Sequence, residues 1–277
     1  VEYLLRTGRG EDLISLDNTH QRSAVSWGAG NGFDIVTKLL IKGVRTVPMR
    51  FIQPFWRRSR VNSVDRYGRT PLSYAVWSGS TTVVELLVKA SARVDLKDKI
   101  GGTPLSYAVC SGRQDLVELL LTTGFKVGSV DEISKALLLP AVEKGHQDVV
   151  AMLLKTSRVD PNTKNHIGMA ALHFAALGGH VSIMWLLLES SADIEAKDTH
   201  GCRPLTLAIK NRHEACVEIL LEKNSEVNYE FQWVCLQNPK LGYHLTLLIT
   251  NFTSFSYYRM QVNLRFVSEV GFITVRK

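Results

Sequence analysis

Cysteine is scarce in this chain. Four occur in 277 residues, Cys110, Cys202, Cys216 and Cys235, and no two form a C-x-x-C pair. That is too few for a disulfide scaffold, so a reducing setting, cytoplasmic or nuclear, is the expectation. Long apolar runs are missing as well. None reaches the ~18 residues expected of a membrane span, and no secretory leader pattern is read. There is no H-E-x-x-H and no paired Cys/His spacing, so neither a metal nor another cofactor is expected. No Ser-His-Asp or Cys-His set stands apart from the general pattern, and the chain reads as no enzyme.

Acidic residues are absent from one stretch and nearly so from another. The formal net charge is +7. Residues 44–64 carry five Arg and no acid, residues 231–277 carry a surplus of +4, and the remainder of the chain carries −2. A basic balance confined to two stretches is weak support for a nucleic-acid protein.

What the chain has is repetition. Asp65 to Ser91 reads D-R-Y-G-R-T-P-L-S-Y-A-V-W-S-G-S-T-T-V-V-E-L-L-V-K-A-S, and D-K-I-G-G-T-P-L-S-Y-A-V-C-S-G-R-Q-D-L-V-E-L-L-L begins 33 residues later at Asp98. Each part has a physical reading. Thr70 and Thr103 are good helix N-caps. Pro71, Pro104 and Pro204 suit the first helical position, where a missing N–H is no loss. Gly79, Gly112, Gly145 and Gly179 end that helix in the left-handed region. Val83, Val84, Leu86 and Leu87 make the apolar stripe of a second helix. Gly68, Gly101, Gly168 and Gly201 turn the connecting hairpin. Helices this short need neighbouring units to bury their faces.

A 33-residue unit built on T-P-L resembles the ankyrin repeat. The resemblance implies an all-α solenoid of helix-turn-helix units joined by β-hairpin-like turns. It also implies a non-catalytic scaffold for protein–protein interaction. The S-Y-A-V-W-S-G style is similar to long arrays in fungal multidomain regulators, which often follow a NACHT-type domain. V-E-Y-L-L-R-T-G-R-G reads as the second half of a repeat, so the chain is expected to be part of a longer protein.

In order, the expectation is a partial repeat at 1–17 and six repeats over 18–230. Fourteen extra residues fall after the first full repeat, as a basic insertion near 45–64, and a non-repeating tail follows at 231–277. Ser23-Ala24-Val25-Ser26-Trp27 stands where Thr70 to Tyr74 stand later. In the repeat at 131–164, Ala136 to Ala141 replaces the T-P-L core, so its first helix lacks the usual start, and Pro140 is expected to kink it. In the last repeat Arg212 stands at the helix-ending glycine position, which forces either a left-handed non-glycine or a different turn. Gly28-Ala29-Gly30-Asn31-Gly32 looks like a phosphate loop but ends a repeat's first helix, so it reads as structural.

Two surfaces are candidates for binding. The resemblance implies that partners are met by the hairpin tips and the concave, exposed side of the first helices. Those positions are Arg66, Tyr67, Arg69, Trp77 and Ser78 in one unit and Lys99, Ile100, Cys110 and Ser111 in the next. Further along they are Lys144, His166, Leu177, Thr199, His200, Lys210 and Asn211. Trp77 is the anchor type among them, with packing against Tyr67 or the next unit as its structural alternative. The insertion is the second surface. Arg50, Arg57, Arg58 and Arg60, interleaved with Phe51, Phe55 and Trp56, suit a nucleic acid or an anionic membrane surface. The resemblance also gives His173 a structural role, bridging backbone groups between units. Leu119 is taken as a core residue, and Leu119→Ala is expected to cost about 2–5 kcal/mol, measured as a fall in the thermal midpoint.

Overall fold

A computed structural model of the protein describes residues 20–46, 61–123, 129–156 and 158–223. The partial repeat at 1–17, the insertion arginines Arg50, Arg57, Arg58 and Arg60, and the tail at 231–277 lie outside the described residues. Among the described residues there are helices and turns and no strand. They fall into two compact units, divided between Asp160 and Pro161.

The first unit holds helix pairs. These are α1 (Ala24–Gly30) with α2 (Asp34–Thr46), α3 (Pro71–Ser78) with α4 (Thr81–Lys89), and α5 (Pro104–Cys110) with α6 (Gln114–Thr122). A fourth begins as α7 (Val130–Ile133), passes through a π-helical turn (Ser134–Leu138) into α8 (Leu139–Glu143), and pairs with α9 (Gln147–Lys155). First helices stack on first helices, α1 on α3 and α3 on α5, and second helices on second helices. Ser23, Thr70 and Thr103 each accept an N–H in the first turn, from Ser26, Ser73 and Ser106. Ala75 and Ala108 are fully buried where neighbouring helices pass close, and Leu72, Val83, Val84 and Leu87 fill the core.

Each hairpin finger is held by one acid. Asp65 Oδ1 accepts the N–H of Tyr67 and of Arg69, both at 2.8 Å, and Asp98 Oδ1 accepts those of Ile100 and Gly102. Adjacent fingers are laced by backbone, with Lys99 N–H donating to Tyr67 O at 2.9 Å. Gly68 sits at φ +80°, and a Cβ there would stand 3.0 Å from Lys99 N, so this turn demands glycine. Asn62, just before the finger, accepts Arg93 N–H at 2.7 Å and fastens residues 61–64 to the stack.

The repeat at 131–164 departs from the expected pattern. Its first helix does have a start signal, a capping box between Ser129 and Glu132, but the signal lies upstream of the usual place. Helix therefore replaces the finger. Asp131, the counterpart of Asp98, faces solvent and pairs with Lys135 at 2.7 Å. Pro140 lies in the first turn of α8, directly after the π turn. The wider turn accommodates a residue that lacks an N–H and crowds the preceding carbonyl.

The second unit holds α10 (Ala171–Gly178) with α11 (Val181–Glu189) and α12 (Pro204–Lys210) with α13 (Glu214–Glu222). Its fingers repeat the rule, with Asn165 and Asp198 accepting two backbone N–H groups each and Thr199 N–H donating to Ile167 O. His173 is fully buried and bridges two repeats: Nδ1 accepts Ala170 N–H, and Nε2 meets Cys202 O at 3.2 Å. In the first unit Ser73 and Ser106 stay within their own caps. Arg212 adopts φ 60°, so the left-handed turn is kept at a cost of ~1 kcal/mol. Gly28 to Gly30 lie within α1, and Gly32 turns the chain at φ +69°.

Leu119 is a correction. It is half-buried, whereas Leu120 is wholly inside, as Leu87 is in the preceding repeat. Leu120→Ala is expected to lose about 2–5 kcal/mol in a urea or thermal melt, and Leu119→Ala clearly less. Burial pushes the His173 imidazole below its ordinary 6.5. Below that value the unfolded chain binds a proton that the folded chain refuses, so stability falls as pH drops. Replacing His173 with Ser, the first unit's solution, is expected to flatten the slope of melting temperature against pH over that window.

Candidate functional site

The site grows out of an offset in the repeat. Arg22 and Trp27 stand in the first full repeat where Arg69 and Tyr74 stand in the next. Arginine before the cap and an aromatic inside the first helix therefore recur, one rung per repeat. The series stops at Gly102, the next position in register, where a Cβ would lie 2.7 Å from the Tyr107 hydroxyl.

The two rungs form a continuous surface. The Arg22 guanidinium carbon lies 4.0 Å from the centre of the Trp27 ring and 3.8 Å from that of Tyr74. Arg69 lies 5.3 Å from the Tyr67 ring and 4.9 Å from that of Trp77. Trp77 stacks on Tyr107 of the following repeat, with ring centres 6.0 Å apart and planes 11° apart. His20 tilts against Tyr67. Of these, His20, Arg22, Trp27, Tyr67, Arg69, Tyr74 and Trp77 line an open groove of about 600 Å³. Contacts of this kind are worth roughly 0.5–1 kcal/mol each at exposed sites and more where water is excluded.

The acids under the groove are occupied. Besides its two backbone bonds, Asp65 accepts the Tyr74 hydroxyl at 2.6 Å, and Asp98 accepts the Tyr107 hydroxyl. Both carboxylates are buried. Burial, and then the neighbouring carboxylate, raises the Tyr74 and Tyr107 phenols above their ordinary value. Arg69 Nε approaches Asp98 at 3.9 Å. Nε of Arg22 and of Arg69 is buried with no hydrogen-bond partner.

The residues named from sequence fall as follows. Tyr67, Arg69, Trp77 and Ser78 meet in the groove, with Arg69 half-buried and Trp77 61% exposed. Trp77 packs on Tyr107 of the next unit, its structural alternative, and keeps an open face. Ser78 spends its hydroxyl on Ala29 O and Ala75 O. Arg66, Lys99 and Ile100 stand on the finger tips, Ile100 82% exposed. Cys110 and Ser111 end α5 and Lys144 follows α8, all exposed. Although the residue as a whole is exposed, partial desolvation of its thiol raises the Cys110 pKa above its ordinary value, with Lys144 opposing the shift. In the second unit His166, Leu177, Thr199, His200, Lys210 and Asn211 are exposed, with no aromatic groove among them. Asn211 caps α12 through Leu207 O, and Lys210 Nζ lies 3.8 Å from Cys202 Sγ. Arg22, Trp27 and Tyr74 were not singled out from the sequence. The alignment of Ser23 to Trp27 with Thr70 to Tyr74 puts the two aromatics in register, but nothing in it places Arg22 over the ring of the next repeat.

Other recurrent polar residues are structural ties. Arg113 Nη2 donates to Gly79 O at 2.6 Å, His146 Nε2 meets Cys110 O at 2.9 Å, and His213 Nε2 meets Leu177 O at 3.0 Å. Each fastens the end of a first helix in the preceding repeat. Among the described residues no group of three or more His, Cys, Asp or Glu is placed to hold a metal. Nor is any helix among them long and apolar enough to cross a membrane.

The family model for ankyrin repeats matches three times, over residues 1–98, 25–131 and 138–230, and the chain belongs to this family. The fold is shared with solved structures. One is the ankyrin repeat domain of Bcl-3, at 24% identity and TM-score 0.62, covering 80% of this chain and 92% of that one. The human ASB11 ankyrin repeat domain is 22% identical with TM-score 0.62, covering 82% and 98%. A chain from the Bd0816 predatory endopeptidase of Bdellovibrio bacteriovorus in complex with immunity protein Bd3460 is 22% identical with TM-score 0.56, covering 73% and 99%. No curated protein matches. The likeness to NACHT-associated arrays has no counterpart in these three matches. Ankyrin repeats are in general protein–protein interaction modules and typically non-catalytic scaffolds.

The tyrosine–aspartate pairs can be tested directly. In an ultraviolet titration the wild-type chain is expected to show a late phenol component above pH 10. Tyr74→Phe and Tyr107→Phe should each remove part of it.

Proposed function

We propose that this chain is a non-catalytic recognition scaffold whose partner is another protein, met on the finger tips and first helices of residues 20–160. The observation that carries this is Trp77. A large aromatic with most of its surface open, yet fixed by Tyr107 and Arg69, loses little freedom on binding. Rigid aromatic and arginine side chains are the types that dominate interface energies. Tyr67 and Arg66 beside it extend the same surface. The neighbour found in a complex of an endopeptidase with an immunity protein supports a protein as the class of partner. His166, Leu177, Thr199 and His200 offer a second set of exposed positions on the second unit, without an aromatic anchor.

The test is panning a random peptide library against the chain, followed by affinity measurement with Trp77→Ala. Selected peptides are expected to bind the variant at least about tenfold more weakly, a loss of ~1.4 kcal/mol. Two results would overturn the reading. One is equal affinity for the variant. The other is failure to select peptides together with steeply salt-dependent binding of single-stranded DNA that is lost in Arg57→Ala, Arg58→Ala and Arg60→Ala.

A further inference from the structure

We propose that the groove of the first unit receives a proline-rich peptide in the extended polyproline conformation, with Trp27, Tyr67 and Trp77 as its contacts. The proposal rests on the protein-recognition reading and deepens it by naming the partner's chemistry. Most hydrogen-bonding groups around the groove are already engaged. The arginines are spent as supports: Arg22 Nη2 donates to Ser26 O at 2.9 Å, Nε of Arg22 and of Arg69 is buried, and Arg69 approaches Asp98. Among the described residues no carboxylate lines the groove. Asp65 and Asp98 beneath it are taken by tyrosine hydroxyls and backbone N–H groups. Asn31 Nδ2 donates to Trp27 O, and the Ser78 hydroxyl donates to Ala29 O and Ala75 O.

Three exposed aromatic rings remain, each with one donor. The indole N–H of Trp27 and of Trp77 and the Tyr67 hydroxyl bond to none of the described residues. Each ring is already held, Trp27 by Arg22, Tyr67 by Arg69, and Trp77 by Tyr107 and Arg69, so little freedom is lost on binding. A site of donors and rings with few free acceptors suits a ligand rich in carbonyls and poor in N–H groups. Proline keeps its carbonyl and has no N–H to satisfy. In the polyproline helix those carbonyls carry no internal bond, and its rings dock on aromatic-lined grooves. The spacing agrees as well. Trp27 is on α1 and Trp77 on α3, which stack as neighbours. Packed helices lie about 8–10 Å apart, and one turn of a polyproline helix advances about 9 Å. The same face of the ligand therefore returns at each of the two helices. Charge acts in the same direction, since a lining with two guanidiniums and no acid disfavours a basic peptide and admits an uncharged one.

The probe is fluorescein-labelled decaproline, measured by anisotropy on the full chain, with a Gly/Ser peptide of equal length as its twin. Decaproline is expected to bind at least about tenfold tighter than the twin. Trp77→Ala should abolish that difference. Trp77→Phe, which keeps a ring and loses the N–H, and Tyr67→Phe, which loses only the hydroxyl, should each weaken decaproline several-fold. Trp185→Phe, on α11 of the second unit, should leave it unchanged. In nitrogen–proton correlation spectra the indole signals of Trp27 and Trp77 should move on adding decaproline, while that of Trp185 stays. Circular dichroism melts confirm that each variant folds. Equal binding of the Gly/Ser twin overturns the proposal, as does decaproline binding that ignores Trp77→Ala or falls equally in Trp185→Phe. Unchanged binding in both phenylalanine variants of the groove, with unmoved indole signals, also overturns it. If panned peptides depend on Trp77 but decaproline does not bind, the proline-rich proposal falls while the general protein-recognition reading stands.

Discussion

Among the described residues, no helix of the regular repeats is long enough to stand alone. First helices of seven or eight residues and second helices of mostly nine fall below the length at which an isolated helix persists in water. Their stability comes from the faces they bury against the next pair, and the rest of the architecture serves that stacking. Alanines at 75, 108 and 175 let first helices approach. Caps at Ser23, Thr70 and Thr103 fix where each begins. Arg113, His146 and His213 tie each pair back to its predecessor. Because contacts are between neighbours, side chains on the exposed side of the first helices are free of the core and available for recognition.

Much of this was legible because it is periodic. Thr-Pro at the cap, glycine at the left-handed turn and the Leu-Leu pair each state a local physical need, and the need recurs every 33 residues. The choice between Leu119 and Leu120 was not legible, since both fit a helical stripe and only the neighbouring helix decides which is enclosed. The early start at Ser129 was missed for a different reason. Its capping box lies where the period predicts a finger, so the register concealed a strong local signal. Arg212 left two outcomes open, and the turn prevailed over the cost of a left-handed arginine.

The groove was half visible. Trp77, Tyr67 and Arg69 follow from their exposed register positions. Their partners Arg22, Trp27 and Tyr74 do not, because Arg22 reaches a ring one repeat further on, across the stretch that breaks the period. Which acids are buried and hydrogen-bonded is likewise a three-dimensional fact. Asp65 and Asp98 look like surface charges in the sequence, yet each sits under a tyrosine with every oxygen engaged. The two carboxylates are thereby withdrawn beneath the groove.

Replacement of a finger by helix at Ser129 has a mechanical side. The backbone bonds that join one finger to the next form a seam, running from His20 O to Arg66 and from Tyr67 O to Lys99. The next stitch would come from Glu132, whose N–H goes to Ser129 Oγ. The seam of the first unit therefore ends at Ile100, and the tip there stands 82% open. Tension along the fingers is shared by consecutive stitches up to that residue and must then be carried by the helices alone, which makes it the place where a pulled chain would begin to unzip.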